Sequence, residues 1–132
     1  MTYSAVLSRI GLGLTVAVAL AGHASAATTQ CVGCFAIVRA SGSLALGNGV
    51  VSTERVAPGV YQVDFRKLVT KCAFSTTLGN DRASVNSSFA GEISVLLGSG
   101  IGNKTAIVQT FDSTGTELVD NPFHLVAACK PN

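Results

Sequence analysis

From residue 35 onward the chain alternates short apolar runs with small and polar residues at roughly ten-residue spacing, the pattern of a sandwich or barrel of short strands. Its clearest stretch is Val60-Tyr61-Gln62-Val63-Asp64-Phe65-Arg66. Tyr61, Val63 and Phe65 fall on one side and Gln62, Asp64 and Arg66 on the other, the two-residue period of a half-buried strand. The same reading predicts strands over residues 35–40, 50–56, 72–78, 93–97, 105–111 and 123–129, with a short one at 44–46. Between them stand Ser41-Gly42, Gly47-Asn48-Gly49, Pro58-Gly59 and Ser113-Thr114-Gly115, which supply the fixed or positive φ of tight turns. Residues 79–88 are polar and read as a surface loop. Two hairpins, 38–46 and 108–118, share a Ser-Gly-Ser or Thr-Gly-Thr turn. The expected fold is all-β: an antiparallel β-sandwich, jelly-roll-like or Greek-key, of about seven or eight short strands. Phe35, Tyr61, Phe65, Phe74, Phe111 and Phe123 all lie in predicted strands and are expected to pack its core.

The first 26 residues follow a different pattern. Arg9 precedes an apolar run from Ile10 to Ala21, and Ala24-Ser25-Ala26 places small side chains where a signal peptidase cuts. The run is shorter than the roughly 20 apolar residues a spanning helix needs and contains Gly11, Gly13 and Thr15. Leu20-Ala21-Gly22 is followed by His23 and not by the cysteine of a lipoprotein box. Residues 1–26 are thus expected to be a signal peptide, 27–34 an N-terminal segment with a CxxC, and 35–130 a single β-sandwich domain. Export to the medium, periplasm or cell surface follows, with no membrane span.

Of nine basic residues only Arg9 lies in the leader and all seven acidic ones lie beyond it, leaving a formal charge of +1. That balance offers no electrostatic basis for gripping a nucleic acid. Arg66, Lys67 and Lys71 cluster without interleaved aromatics and read as a solvated connection.

In an exported chain the four cysteines read as a disulfide framework with three formal pairings. Cys72 shares a predicted strand face with Phe74, Thr76 and Leu78, and Cys129 shares one with Phe123, Leu125 and Ala127. Both sulfurs then point inward, so a Cys72–Cys129 bridge is expected. Cys31-Val32-Gly33-Cys34 remains. A local disulfide, a thiol–disulfide exchange centre, zinc held by all four thiolates and a bridge between subunits are the competing readings. Exchange wants its first cysteine at a helix N-terminus, whereas this motif runs straight into Phe35-Ala36-Ile37-Val38. Zinc wants a second close pair.

Other motifs carry less. His124, the one histidine past the leader, alternates away from Phe123 and Leu125, and no nucleophile motif surrounds it. Gly98-Ser99-Gly100-Ile101-Gly102-Asn103-Lys104-Thr105 lacks both the Gly-Lys step and the following helix of a phosphate loop. Asp112, Glu117 and Asp120 offer calcium-type oxygens, but at the spacing of ordinary turns. Asn86 and Asn103 head glycosylation sequons.

Taken in order, Gly59-Val60-Tyr61-Gln62-Val63-Asp64-Phe65, Cys72-Ala73, Thr110-Phe111-Asp112-Ser113-Thr114-Gly115 and Asp120-Asn121-Pro122-Phe123-His124-Leu125-Val126 with Cys129 resemble a small β-domain of bacterial exported proteins. That domain stands alone or ends collagen-like or tail-fibre-like surface chains. The resemblance spans about residues 35–129. It implies a β-sandwich with Cys72 and Cys129 at a recurring cysteine pair, and it transfers no catalytic residue. This chain has no Gly-X-Y stalk, and Cys31 and Cys34 have no counterpart in the pattern.

The function expected from the sequence is an exported structural or interaction domain. It would present a surface for self-association or for envelope or host binding, without catalysis, cofactor or metal. The partner would be a protein or glycan, or a second copy in a homo-oligomer. The alternatives are a small extracellular enzyme, chiefly a Cys31/Cys34 oxidoreductase, and a carbohydrate-binding or inhibitor module using residues 79–88 and 98–103.

Overall fold

The computed structural model describes residues 30–82, 89–99 and 102–130. The leader, Asn86 and most of the 79–88 loop lie outside these residues. Eight strands and no helix make up the described chain: β1 (Cys34–Val38), β2 (Leu44–Asn48), β3 (Val50–Ala57), β4 (Val60–Phe65), β5 (Cys72–Leu78), β6 (Ile93–Leu97), β7 (Thr105–Thr110) and β8 (Phe123–Cys129). They form two antiparallel four-stranded sheets, β2-β1-β8-β5 (sheet I) and β3-β4-β7-β6 (sheet II). This is the expected β-sandwich. β1 starts one residue earlier than the periodicity implied, on Cys34, and Phe111 drops out of β7 to make an isolated bridge with Leu118.

Hairpins join β1 to β2, β3 to β4 and β6 to β7, while every other connection passes from one sheet to the other. The interior comes from alternate residues of the central strands. Tyr61, Val63 and Phe65 of β4 and Ala106 and Val108 of β7 meet Ala36 and Val38 of β1 and Phe123, Leu125 and Ala127 of β8. Tyr61 and Phe123 pack edge to face with ring centroids 5.1 Å apart. Burying one such side chain contributes about 1.5–3 kcal/mol, so these central strands carry most of the driving force.

Three aromatics depart from the expected core, and Phe111, half-buried at its bridge to Leu118, is one of them. Phe35 points outward from β1, because Cys34, Ala36 and Val38 take the inward positions. Phe74 points inward but is only half-buried, since β5 forms the rim of sheet I.

One end of the sandwich holds both cysteine pairs, bonded as Cys31–Cys34 and Cys72–Cys129. The chain enters there: Gln30 makes a parallel bridge with Leu68, and the Cys31 amide donates to the Leu68 carbonyl at 3.1 Å. It also leaves there, the Lys130 amide donating to Lys71. Among the described residues no helix is long and apolar enough to cross a membrane.

Candidate interaction face

Antiparallel sheets with one wet side normally alternate apolar residues inward with polar ones outward. Sheet II obeys. Its outward positions on β3 and β4 include Ser52, Glu54, Gln62 and Asp64. Asp64 sits among donors: Thr105 Oγ1 donates at 2.7 Å, Ser52 Oγ at 2.9 Å and Gln62 Nε2 at 3.0 Å. Burial works against its charge, but the donations from Thr105, Gln62 and Ser52 outweigh it and hold the carboxyl below its ordinary range. A shallow depression of about 380 Å³ lies over this cluster, flanked by Arg66 and Lys104. The Asp64 oxygens are engaged across three strands, so the cluster reads as a polar clamp on the sheet.

Sheet I breaks the rule. Pairing places its outward residues in two rows, Leu46–Ile37–His124–Thr77 and Asn48–Phe35–Val126–Ser75, with Ala128 beside Ala73 below them. None of these ten positions carries a carboxylate, ammonium or guanidinium. Leu46 is 57% exposed and Val126 46%, and Phe35 and Ile37 are half-buried between them. A sheet face without carboxylate, ammonium or guanidinium groups, apolar at Leu46, Phe35, Ile37 and Val126, is the kind of surface that marks a contact site. Sequence periodicity missed it for a physical reason. Phe35-Ala36-Ile37-Val38 and Leu125-Val126-Ala127-Ala128 are apolar on both sides of the strand, so neither declares which side is wet. The unbroken runs themselves were the available signal.

His124 stands within this face, opposite Ile37 and Thr77. Its Nε2 lies 3.2 Å from the Asn80 carbonyl, and Gly79 packs over the ring. That is its one hydrogen bond among the described residues; no serine, cysteine or carboxylate meets the imidazole there.

The CxxC disulfide is inaccessible at its sulfurs. Cys31 is 0% exposed and Cys34 3%, while Val32 and Gly33 form the outer turn. Gly49, at φ +72°, lies directly beneath the bridge, where a Cβ would fall on Cys34 Sγ. Arg66 and Lys67 line a small depression beside it. With Cys34 opening a strand, neither cysteine has the helix N-terminus that activates exchange thiols.

Cys72 and Cys129 face each other directly in the β5–β8 register and pack against the core from the rim. The two pairs being bonded fits an oxidising compartment.

Asp112 and Asp120, in the β7–β8 connection around the Phe111–Leu118 bridge, do two different structural jobs. Asp112 caps its own turn, accepting from Thr114 Oγ1 at 2.7 Å and from the Thr116 and Glu117 amides, which lowers its pKa. Asp120 Oδ1 accepts from Arg55 Nε and the Gly59 amide, both at 2.7 Å, and from the Tyr61 hydroxyl at 3.3 Å. The Arg55 and Gly59 donations hold Asp120 below the usual carboxylate range. The single Tyr61 hydroxyl proton is shared between Asp120 and the nearer Ala40 carbonyl, at 3.0 Å. Burial, reinforced by the Asp120 charge, pushes the Tyr61 phenol up to about 12. Among the described residues no three His, Cys, Asp or Glu side chains converge as metal ligands.

No family model, no curated protein and no solved structure matches this chain.

Proposed function

We propose that this protein is an exported interaction module that works by presenting the outer face of sheet I to another macromolecule at the cell envelope. The observation that carries this reading is the absence of charge from that face, set against the Glu54- and Asp64-bearing outer face of sheet II. Burying a face without carboxylate, ammonium or guanidinium groups avoids the cost of desolvating them, so its apolar residues favour association. The resemblance to exported bacterial β-domains agrees with it, as does a pair of disulfides suited to life outside the cytoplasm. The oxidoreductase alternative finds less support, because both CxxC sulfurs are covered.

The test is co-sedimentation of the exported protein with envelope fragments of the producing cell. Val126 is outward and half-exposed, so V126K places a charge mid-face without disturbing the core. Wild type is expected in the pellet and V126K in the supernatant, with unchanged melting. Equal recovery of both proteins would refute the reading, and so would turnover of a disulfide substrate such as insulin by the wild type.

A further inference from the structure

We propose that β5 pairs edge to edge with β5 of a second copy of this chain, joining two copies of sheet I into one continuous eight-stranded sheet. The proposal rests on the surface-presenting reading and names the first partner of that surface.

A sheet edge is a row of unpaired backbone donors and acceptors, and proteins blunt it with bulges, charges or brevity. Three of the four edges here are blunted. β3 has two register shifts against β4 and carries Glu54 and Arg55. β2 has a register shift against β1. β6 is only five residues long. β5 has no bulge, charge or brevity, although β6 of the other sheet lies close against it. The β5 strand runs seven residues, Cys-Ala-Phe-Ser-Thr-Thr-Leu, with no charge, and pairs with β8 through seven consecutive rungs without a shift. The Cys72–Cys129 bond ties its first rung covalently, so the strand cannot peel away.

The hydrogen-bonding phase of this edge can be worked out. Lys130 donates to Lys71, which makes Cys72–Cys129 a rung without its own backbone bonds. Ala73, Ser75 and Thr77 therefore spend their backbone groups on β8, and Cys72, Phe74, Thr76 and Leu78 direct theirs to the outer edge, which no other strand among the described residues pairs. A two-fold axis at Ser75 sets Phe74 opposite the partner's Thr76 and Cys72 opposite the partner's Leu78. Every edge-facing residue of both strands then meets another in bonding phase. Antiparallel self-pairing of this kind is isologous and closes as a dimer. No like charges oppose across it.

Burial points the same way. Inward residues of the central strands are sealed, yet Phe74, Thr76 and Leu78 are left half-buried at the rim. A second β5 would cover them. It would also double the width of the charge-free face, because Ala73, Ser75 and Thr77 belong to it.

The test uses the exported full chain in sedimentation equilibrium over micromolar concentrations. Wild type is expected to be a dimer. Ser75 is outward and exposed, so S75K leaves the core alone while setting two ammonium groups across the axis. The dimer dissociation constant should rise at least about fivefold. Mixing S75K with S75E should restore it, which also shows that both variants fold. A wild type that stays monomeric overturns the proposal. So does a dimer indifferent to S75K but broken by V126K, which would mean that faces stack. In either case retention of the wild type on envelope fragments, measured by itself, still decides the surface-presenting reading.

Discussion

Gly49 and Tyr61 show how single side chains, or the lack of one, fix this molecule. Gly49 combines a left-handed φ of +72° with a sulfur where its Cβ would be, so G49A meets both strain and collision. We expect it to cost about 1–3 kcal/mol in urea unfolding, with the Cys31–Cys34 bridge displaced or unformed on mass mapping. Tyr61 is sealed in the core and its phenol is raised to about 12. A raised folded pKa favours the protonated form, so its contribution is complete below the unfolded value near 10 and is lost as pH climbs toward 12. Phenolate absorbance from Tyr61 should therefore appear at higher pH in the folded protein than in the urea-unfolded chain, and unfolding should begin in that alkaline window. Y61F, less stable at neutral pH, should lose this phase of the alkaline decline. The turn at Gly47-Asn48-Gly49 was legible in the sequence. That it cradles a disulfide was not, because the contact joins residues brought together only by the fold.

At the level of elements, the strands announce themselves and their partners do not. Alternation in β4 and the Gly- and Pro-bearing turns placed the strands closely. Periodicity sees only neighbours in the chain, however, and β1 pairs with β8 across most of the domain. The inward phase of Cys72 and Cys129 was an exception, since a shared face and an even cysteine count narrowed the choice. That bond encloses a loop of 58 residues and should be worth about 4 kcal/mol on a loop-entropy basis, whereas the four-residue Cys31–Cys34 loop should be worth about half as much. The double variant C72S/C129S is expected to melt well below C31S/C34S in parallel thermal scans. The reverse order would mean that docking of residues 30–34, and not closure of the long loop, dominates stability.

Across the whole molecule the two outer faces differ in kind, one clamped by polar side chains and the other bare of charge. Composition hid this asymmetry, since a formal charge of +1 says nothing about where the charges stand. Once the strands are paired, the charged outward residues fall on sheet II and on the connections, and the β5 rim continues the bare side. Envelope retention and dimer formation both read that side, since Ser75 stands directly opposite Val126, and only the S75K/S75E mixture isolates pairing at the two-fold axis.

Entry and exit at a common pole also set how the domain bears load. A pull between Gln30 and Lys130 would begin to unzip β1 from β8 rung by rung, the mechanically weak mode for a sheet. The tension on β8 meets the Cys72–Cys129 bond at the first rung and passes sideways into β5, while the slack between residues 31 and 34 is already locked. The bond fixes β8 to β5 and not to β1, so tension at that pole parts β1 from β8 and leaves the stapled β5–β8 pair behind.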